Sequence, residues 1–219
     1  MMRTLLYESH ILRGLPHVTC LYSTFNYGKD SMGNFYVNYT LRGPGQIEVA
    51  DALSGHSAIV TPSQLGCVVA FDEESEMQDE SIIAKLALQL SFELHCPVLA
   101  VLNHDDDILC YWLYNNGELL DRYDSAPGFL DTSATPSNPA GGHAEKLCKA
   151  FGSKDMANVD TILSKPFGDK DGYIFAVDRH ADLAKALGLP MYGVGFGYSY
   201  IERGELPESL GESDLVIVR

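Results

Sequence analysis

From Phe35 onward the apolar positions alternate between two rhythms, one with period two and one with helical spacing. Phe35 to Leu41 is β-branched and aromatic and predicts a strand. After Gly43-Pro44-Gly45, the stretch Ile47 to Leu53 predicts a short helix, with Gly55 suited to its C-terminal cap. Ser57 to Thr61 and Cys67 to Phe71 are two further strands, joined by a turn that carries Pro62 and Gly66. Ile83, Leu86, Leu90 and Leu94 then fall at helical spacing and predict a helix over 79–95, stopped by Pro97. Val98 to Leu102 is a continuous apolar run, the mark of a strand covered on both faces. Ile108 to Tyr114 and Glu118 to Tyr123 predict a hairpin, because Asn115-Asn116-Gly117 favours the left-handed turn that joins twisted strands.

This order of elements is that of a ferredoxin-like split β-α-β sheet with an added hairpin, an α+β fold. The expected organisation is an N-terminal extension (1–34), an α+β core domain (35–130), a linker (131–142) rich in Thr, Ser, Pro, Asn and Gly, and a smaller α+β annex (143–219). In the annex the pattern predicts helices over 144–151, around 159–164 and over 178–187, the last with Asp178 as N-cap and Gly188-Leu189-Pro190 as its stop. Strands are expected over 173–177, over the alternating run 191–201, and at 215–218.

Composition narrows the class. Hydrophobic residues at 46% and charged residues at 21% are globular values. The start of the chain lacks the long apolar stretch of a secretory signal, and no run is long enough to span a bilayer, so a soluble cytoplasmic protein is expected. The five cysteines are far apart and set among apolar residues, which predicts buried reduced thiols rather than a zinc ribbon. The net charge of −15 is concentrated in the middle of the chain, where Lys85 is the single lysine or arginine from Gly43 to Cys96. That balance excludes a phosphate-tracking, nucleic-acid-binding surface and disfavours an anionic membrane, and it leaves solvent, a divalent cation or a basic protein partner.

The main candidate site is Asn103-His104-Asp105-Asp106-Asp107, at the end of a buried strand, with Asp121 and Asp124 on the neighbouring predicted strand. Carboxylates beside an imidazole suit Mg²⁺, Mn²⁺ or Zn²⁺, and a metal there would activate water for hydrolysis, with His104, Asp105 and Asp107 as ligands and Asp124 as a base. The same residues also suit a polar turn that caps its own backbone. No metal or other cofactor is assigned on this pattern. Asp169-Lys170-Asp171-Gly172 matches the centre of an EF-hand loop, but Phe167 and Asp178 then occupy the first and twelfth ligand positions, and a glycine turn is the simpler reading. In Tyr192 to Tyr200 the glycines fall on one strand face, which suits close packing better than a phosphate cradle. There is no Gly-x-Ser-x-Gly elbow, and the histidines outside the main cluster lack ligand spacing.

The block VLAVLNHDDDILCYWLYNNGELLDRYDSAPGF, with Gly141-Gly142 and the Gly- and Tyr-rich run 193–200 after it, resembles a group of bacterial proteins to which no activity is attached. The resemblance implies a bacterial origin and no mechanism. The functional expectation is a non-enzymatic binding or interaction protein with an acidic surface and a basic partner; the alternative is a divalent-metal hydrolase centred on His104 to Asp107.

Overall fold

In the computed structural model, residues 33–129, 138–168 and 172–219 are described. The expected elements of the first half are all present: β1 (Tyr36–Arg42), α1 (Gln46–Ala52), β2 (Ala58–Val60), β3 (Cys67–Asp72), α2 (Glu80–Glu93), β4 (Pro97–His104), β5 (Ile108–Asn115) and β6 (Glu118–Asp124). A short 3-10 turn, Glu74–Met77, leads into α2, whose N-cap Asp79 accepts the backbone N–H of Ser81 at 2.7 Å. The β5–β6 turn has Asn116 and Gly117 both at positive φ (51° and 77°), the geometry that Asn-Gly favours in a two-residue hairpin.

The second half holds β7 (Ala140–Gly141), which falls within the expected linker, α3 (Ala144–Phe151), α4 (Met156–Ser164), α5 (Ala176–Leu187), α6 (Tyr198–Glu202) and β8 (Val216–Val218). All eight strands join one antiparallel sheet in the order β7-β6-β5-β4-β1-β3-β2-β8, so β7 and β8 close its two edges. The described residues belong to one compact unit. It is an α+β protein, and no helix among the described residues is long and apolar enough to cross a membrane.

Alternation on the strands feeds two cores. Val37, Tyr39 and Leu41 of β1, with Val98 and Ala100 of β4, pack under Leu53, Ile83 and Leu90 beside α1 and α2. On the opposite face Tyr36, Leu99, Val101 and Tyr111 pack against Leu147, Ile162 and Leu183 of α3, α4 and α5. β4 and β5 are covered on both faces, which is why they read as continuous apolar runs. Helices on both faces of a sheet bury it completely, the stable answer for strands this apolar. The four cysteines among the described residues, Cys67, Cys96, Cys110 and Cys148, are buried free thiols.

The annex departs from its sequence pattern in three places. The alternating run 191–201 is not a strand: it forms a 3-10 turn at Met191–Gly193 and the short helix α6. The cause is tertiary. Asn38 of β1 donates to the carbonyls of Gly193 (2.7 Å) and Phe196 (3.0 Å), and Glu76 accepts the Tyr198 N–H (3.0 Å) and the Ser199 hydroxyl (2.8 Å). The glycines do serve close approach, because a Cβ at Gly197 would overlap the Glu76 carboxylate and the Tyr36 side chain. Residues 173–177 are not a strand either: α5 begins at Ala176, and Ile174 is left 66% exposed. The N-cap of α5 is Phe175, with Asp178 in the first turn rather than capping, while Gly188 ends the helix at φ +68° as expected.

Candidate functional site

His104 to Asp107 form the turn between β4 and β5, with Asp105 and Asp106 both in the left-handed region (φ 54° and 58°) that Asp tolerates better than most residues. Asp106 is a buried clamp. Its Oδ1 accepts from Asn103 Nδ2 (3.0 Å) and its Oδ2 from Asn34 Nδ2 (2.8 Å). Its backbone N–H donates to Asn103 Oδ1 (3.0 Å), and its carbonyl accepts the Ala176 N–H (2.6 Å) at the start of α5. The turn therefore ties the entrance of β1 to α5.

His104 Nδ1 lies 2.6 Å from Gln78 Oε1, and its ring meets Phe35 edge-on at 5.0 Å. Gln78 in turn donates to the Asn103 carbonyl (2.8 Å). Burial holds the His104 imidazole below its usual range, partly opposed by Asp105 and Asp107. The Asp107 carboxyl is pushed up by burial and by the like charge of Asp105. Asp105 is exposed, and Asp107 half-buried.

Asp121 and Asp124 lie elsewhere. Asp121 pairs with Leu113, five positions along β5 from Ile108, which is roughly 17 Å at strand rise. Asp124 stands opposite Cys110, and its Oδ1 accepts the Ala126 N–H at 2.9 Å as a local turn cap. Among the described residues no group of three His, Cys, Asp or Glu side chains converges as metal ligands. Asp169 and Asp171 of the EF-hand-like stretch lie outside the described residues.

Two arrangements escaped the sequence reading. At the open end of the β2–β3 hairpin, His56 Nδ1 is 2.9 Å from Asp72 Oδ1, and Asp72 Oδ2 accepts the Ser75 hydroxyl (2.6 Å) and N–H (3.0 Å). Ser75 Oγ also meets the Tyr39 hydroxyl at 2.6 Å. His56 and Asp72 edge a cleft of about 440 Å³ with Glu73, Glu74 and Lys85. The register was readable in principle: pairing Ala58 with Asp72 brings His56 beside that carboxylate.

The second arrangement is on β6 and α3. Asp121, its side chain 2% exposed, accepts the Tyr111 hydroxyl (2.8 Å) and the His143 backbone N–H (2.7 Å) on Oδ2. Its Oδ1 takes His143 Nδ1 at 2.6 Å, and the His143 side chain remains 61% exposed. His143 is the N-cap residue of α3. A buried carboxylate with donors on both oxygens orients an imidazole whose other edge faces solvent.

Arg179 was also missed. It is 1% exposed on α5, and its guanidinium donates to the carbonyls of Ile162 (2.7 Å) and Lys165 (2.7 Å) and to the Tyr123 hydroxyl (2.8 Å), with the Tyr173 ring 4.5 Å away. A cation that satisfies the open carbonyls at the end of α4 is a structural plug. Beside it a polar cleft of about 420 Å³ is bordered by Asp155, Lys165, Tyr173, Asp182 and Lys185.

These features define an α+β protein with open polar clefts and oriented histidines. No known protein family, curated protein or solved structure matches the chain.

Proposed function

We propose that this chain is a bacterial, cytoplasmic binding protein, built on a ferredoxin-like core, whose α1/α2 layer receives a basic protein partner. The order β4-β1-β3-β2, all antiparallel, with α1 and α2 on one face, supports the ferredoxin-like reading. The observation that carries the functional reading is the makeup of that layer's outer surface. Glu48, Asp51, Glu73, Glu74, Glu80 and Glu93 are exposed on or beside α1 and α2, and Lys85 is the one base in this stretch. Arg122, which reaches the same side, is engaged by Glu80 at 2.8 Å. Ile47, Leu88 and Phe92 are exposed among the carboxylates at 60%, 44% and 61%. Carboxylates around exposed apolar side chains suit a partner that presents lysine or arginine around an apolar stripe, with charge steering the encounter. Phosphate backbones and anionic lipids are repelled by the same field.

The metal-hydrolase reading at His104, Asp105 and Asp107 is the weaker one. Its imidazole Nδ1 is engaged by Gln78, and the Asp106 carboxylate is taken by Asn34 and Asn103.

Affinity capture from a bacterial host's lysate tests the reading. The expected result is a basic protein retained at low ionic strength, released as the Debye length shrinks with added salt, and lost with Glu73→Lys/Glu74→Lys. Retention of no basic protein at low salt overturns it.

A further inference from the structure

We propose that His143 is a phosphoryl-acceptor site, with Nε2 as the nucleophile and Asp121 as its positioning residue. The inference is independent of the acidic layer, since His143 stands beside β6 at the start of α3.

A carboxylate oxygen only accepts, so the 2.6 Å contact between Asp121 Oδ1 and His143 Nδ1 puts the ring proton on Nδ1. The lone pair is then on Nε2. The other Asp121 oxygen is held by Tyr111 and by the His143 backbone, so the carboxylate is fixed in place and the ring with it. This is the support that nucleophilic and metal-bound imidazoles receive from a carboxylate behind them.

Exposure selects the kind of chemistry. At 61% the His143 side chain is open to solvent, and it borders neither the His56 cleft nor the Lys165 cleft. A nucleophile open to solvent and outside both of these clefts is well placed to exchange a group with a reagent or protein that comes to it.

The step balances. The Nε2 lone pair attacks phosphorus in a donor whose leaving group is a carboxylate, or an amine already protonated on the nitrogen bound to phosphorus. An N–P bond forms, the bond from phosphorus to the leaving group breaks, and the leaving group departs with its electron pair, as a carboxylate anion or a neutral amine. The positive charge left on the ring, with the proton still on Nδ1, rests against Asp121. No oxidant or metal is required.

Three histidines separate the contributions. His143 has both a buried carboxylate partner and an open ring. His56 has a carboxylate partner, Asp72, but only 26% exposure. His95 is exposed, its ring near Phe92, and among the described residues no carboxylate bonds it.

The whole protein is incubated with phosphoramidate, and acid-labile, base-stable phosphate is located by phosphorus NMR and peptide mass spectrometry. His143 is expected to label at least about tenfold faster than His95 and His56, the rate factor of roughly 1.4 kcal/mol in a barrier. Asp121→Asn is expected to bring His143 down to the rate of His95 while His95 itself is unchanged, the internal control for an intact fold. Equal rates at His95 and His143, or no labelled histidine, overturn the proposal. If Asp121→Asn does not fold, nitrogen NMR of the wild-type ring decides: a proton on Nδ1 supports the assignment, and a proton on Nε2 overturns it.

Discussion

His180 and Glu76 are buried or half-buried titratable groups on the same side of the sheet whose burial pulls stability in opposite directions. His180, 4% exposed beside the Tyr36 hydroxyl (2.9 Å), has its imidazole pushed down to about 4 by burial. The folded state then binds fewer protons than the unfolded chain between that value and the ordinary 6.5, so stability is lost as pH falls through the window. The Glu76 carboxyl is raised by burial, so its folded form holds a proton longer and its contribution declines as pH rises above the ordinary 4.5. The His180 term, up to about 3 kcal/mol, is expected to dominate between pH 6.5 and 4. Melting temperatures of wild type and His180→Asn across that range check it, with the variant showing the shallower fall. Arg179 gives a second expectation at this scale. Lysine lacks the planar fork that meets Ile162, Lys165 and Tyr123 together, so Arg179→Lys is expected to cost about 1–3 kcal/mol in urea unfolding.

At the scale of elements, α2 carries the core on its face of the sheet. Leu90 is fully buried there with Ile83 and Leu86, and Leu90→Ala is expected to cost about 2–5 kcal/mol by loss of burial and by the cavity left behind. The β5–β6 turn makes a sharper test. Gly117 sits at φ +77°, and a Cβ there would stand 3.0 Å from the Phe92 ring of α2. Gly117→Ala is therefore expected to destabilise by about 1–2 kcal/mol, through backbone strain and the displaced ring, while Asn116→Gly is nearly neutral. Paired unfolding curves of the two variants separate turn conformation from loss of a side chain. The helices and strands of the first half were legible because each has a local cause: Asp79 caps α2, Pro97 follows its end, and Asn116-Gly117 makes the turn. The run 191–201 misled because alternating glycine and aromatic residues satisfy period two without specifying a strand partner. Asn38 and Glu76, more than a hundred residues away, take its backbone groups instead.

For the whole molecule, charge and ligation decide between the two functional readings. On the interaction-surface reading, Mg²⁺, Mn²⁺, Ca²⁺ and Zn²⁺ are expected to leave the melting temperature unchanged. A metal at about a hundred times its dissociation constant would add roughly 2.7 kcal/mol, a shift on the order of 5–10 °C for a chain this long. A shift of that size, lost in Asp105→Asn, would favour the hydrolase reading.

By itself the sequence determined the α+β class, the element order from Phe35 to Asp124, the covered strand at Val98 to Leu102 and the acidic middle. All of these follow from short-range periodicity, capping and composition. The tertiary structure alone decided which side chains meet. His104 turned out to bond Gln78, while Asp121, grouped with it by residue type, bonds His143, 22 residues further along the chain. Residue type and spacing describe what a side chain is able to do, but sheet register and the docking of α3 and α5 set which partner it finds. Those depend on contacts between segments far apart in the chain, and no local pattern encodes them.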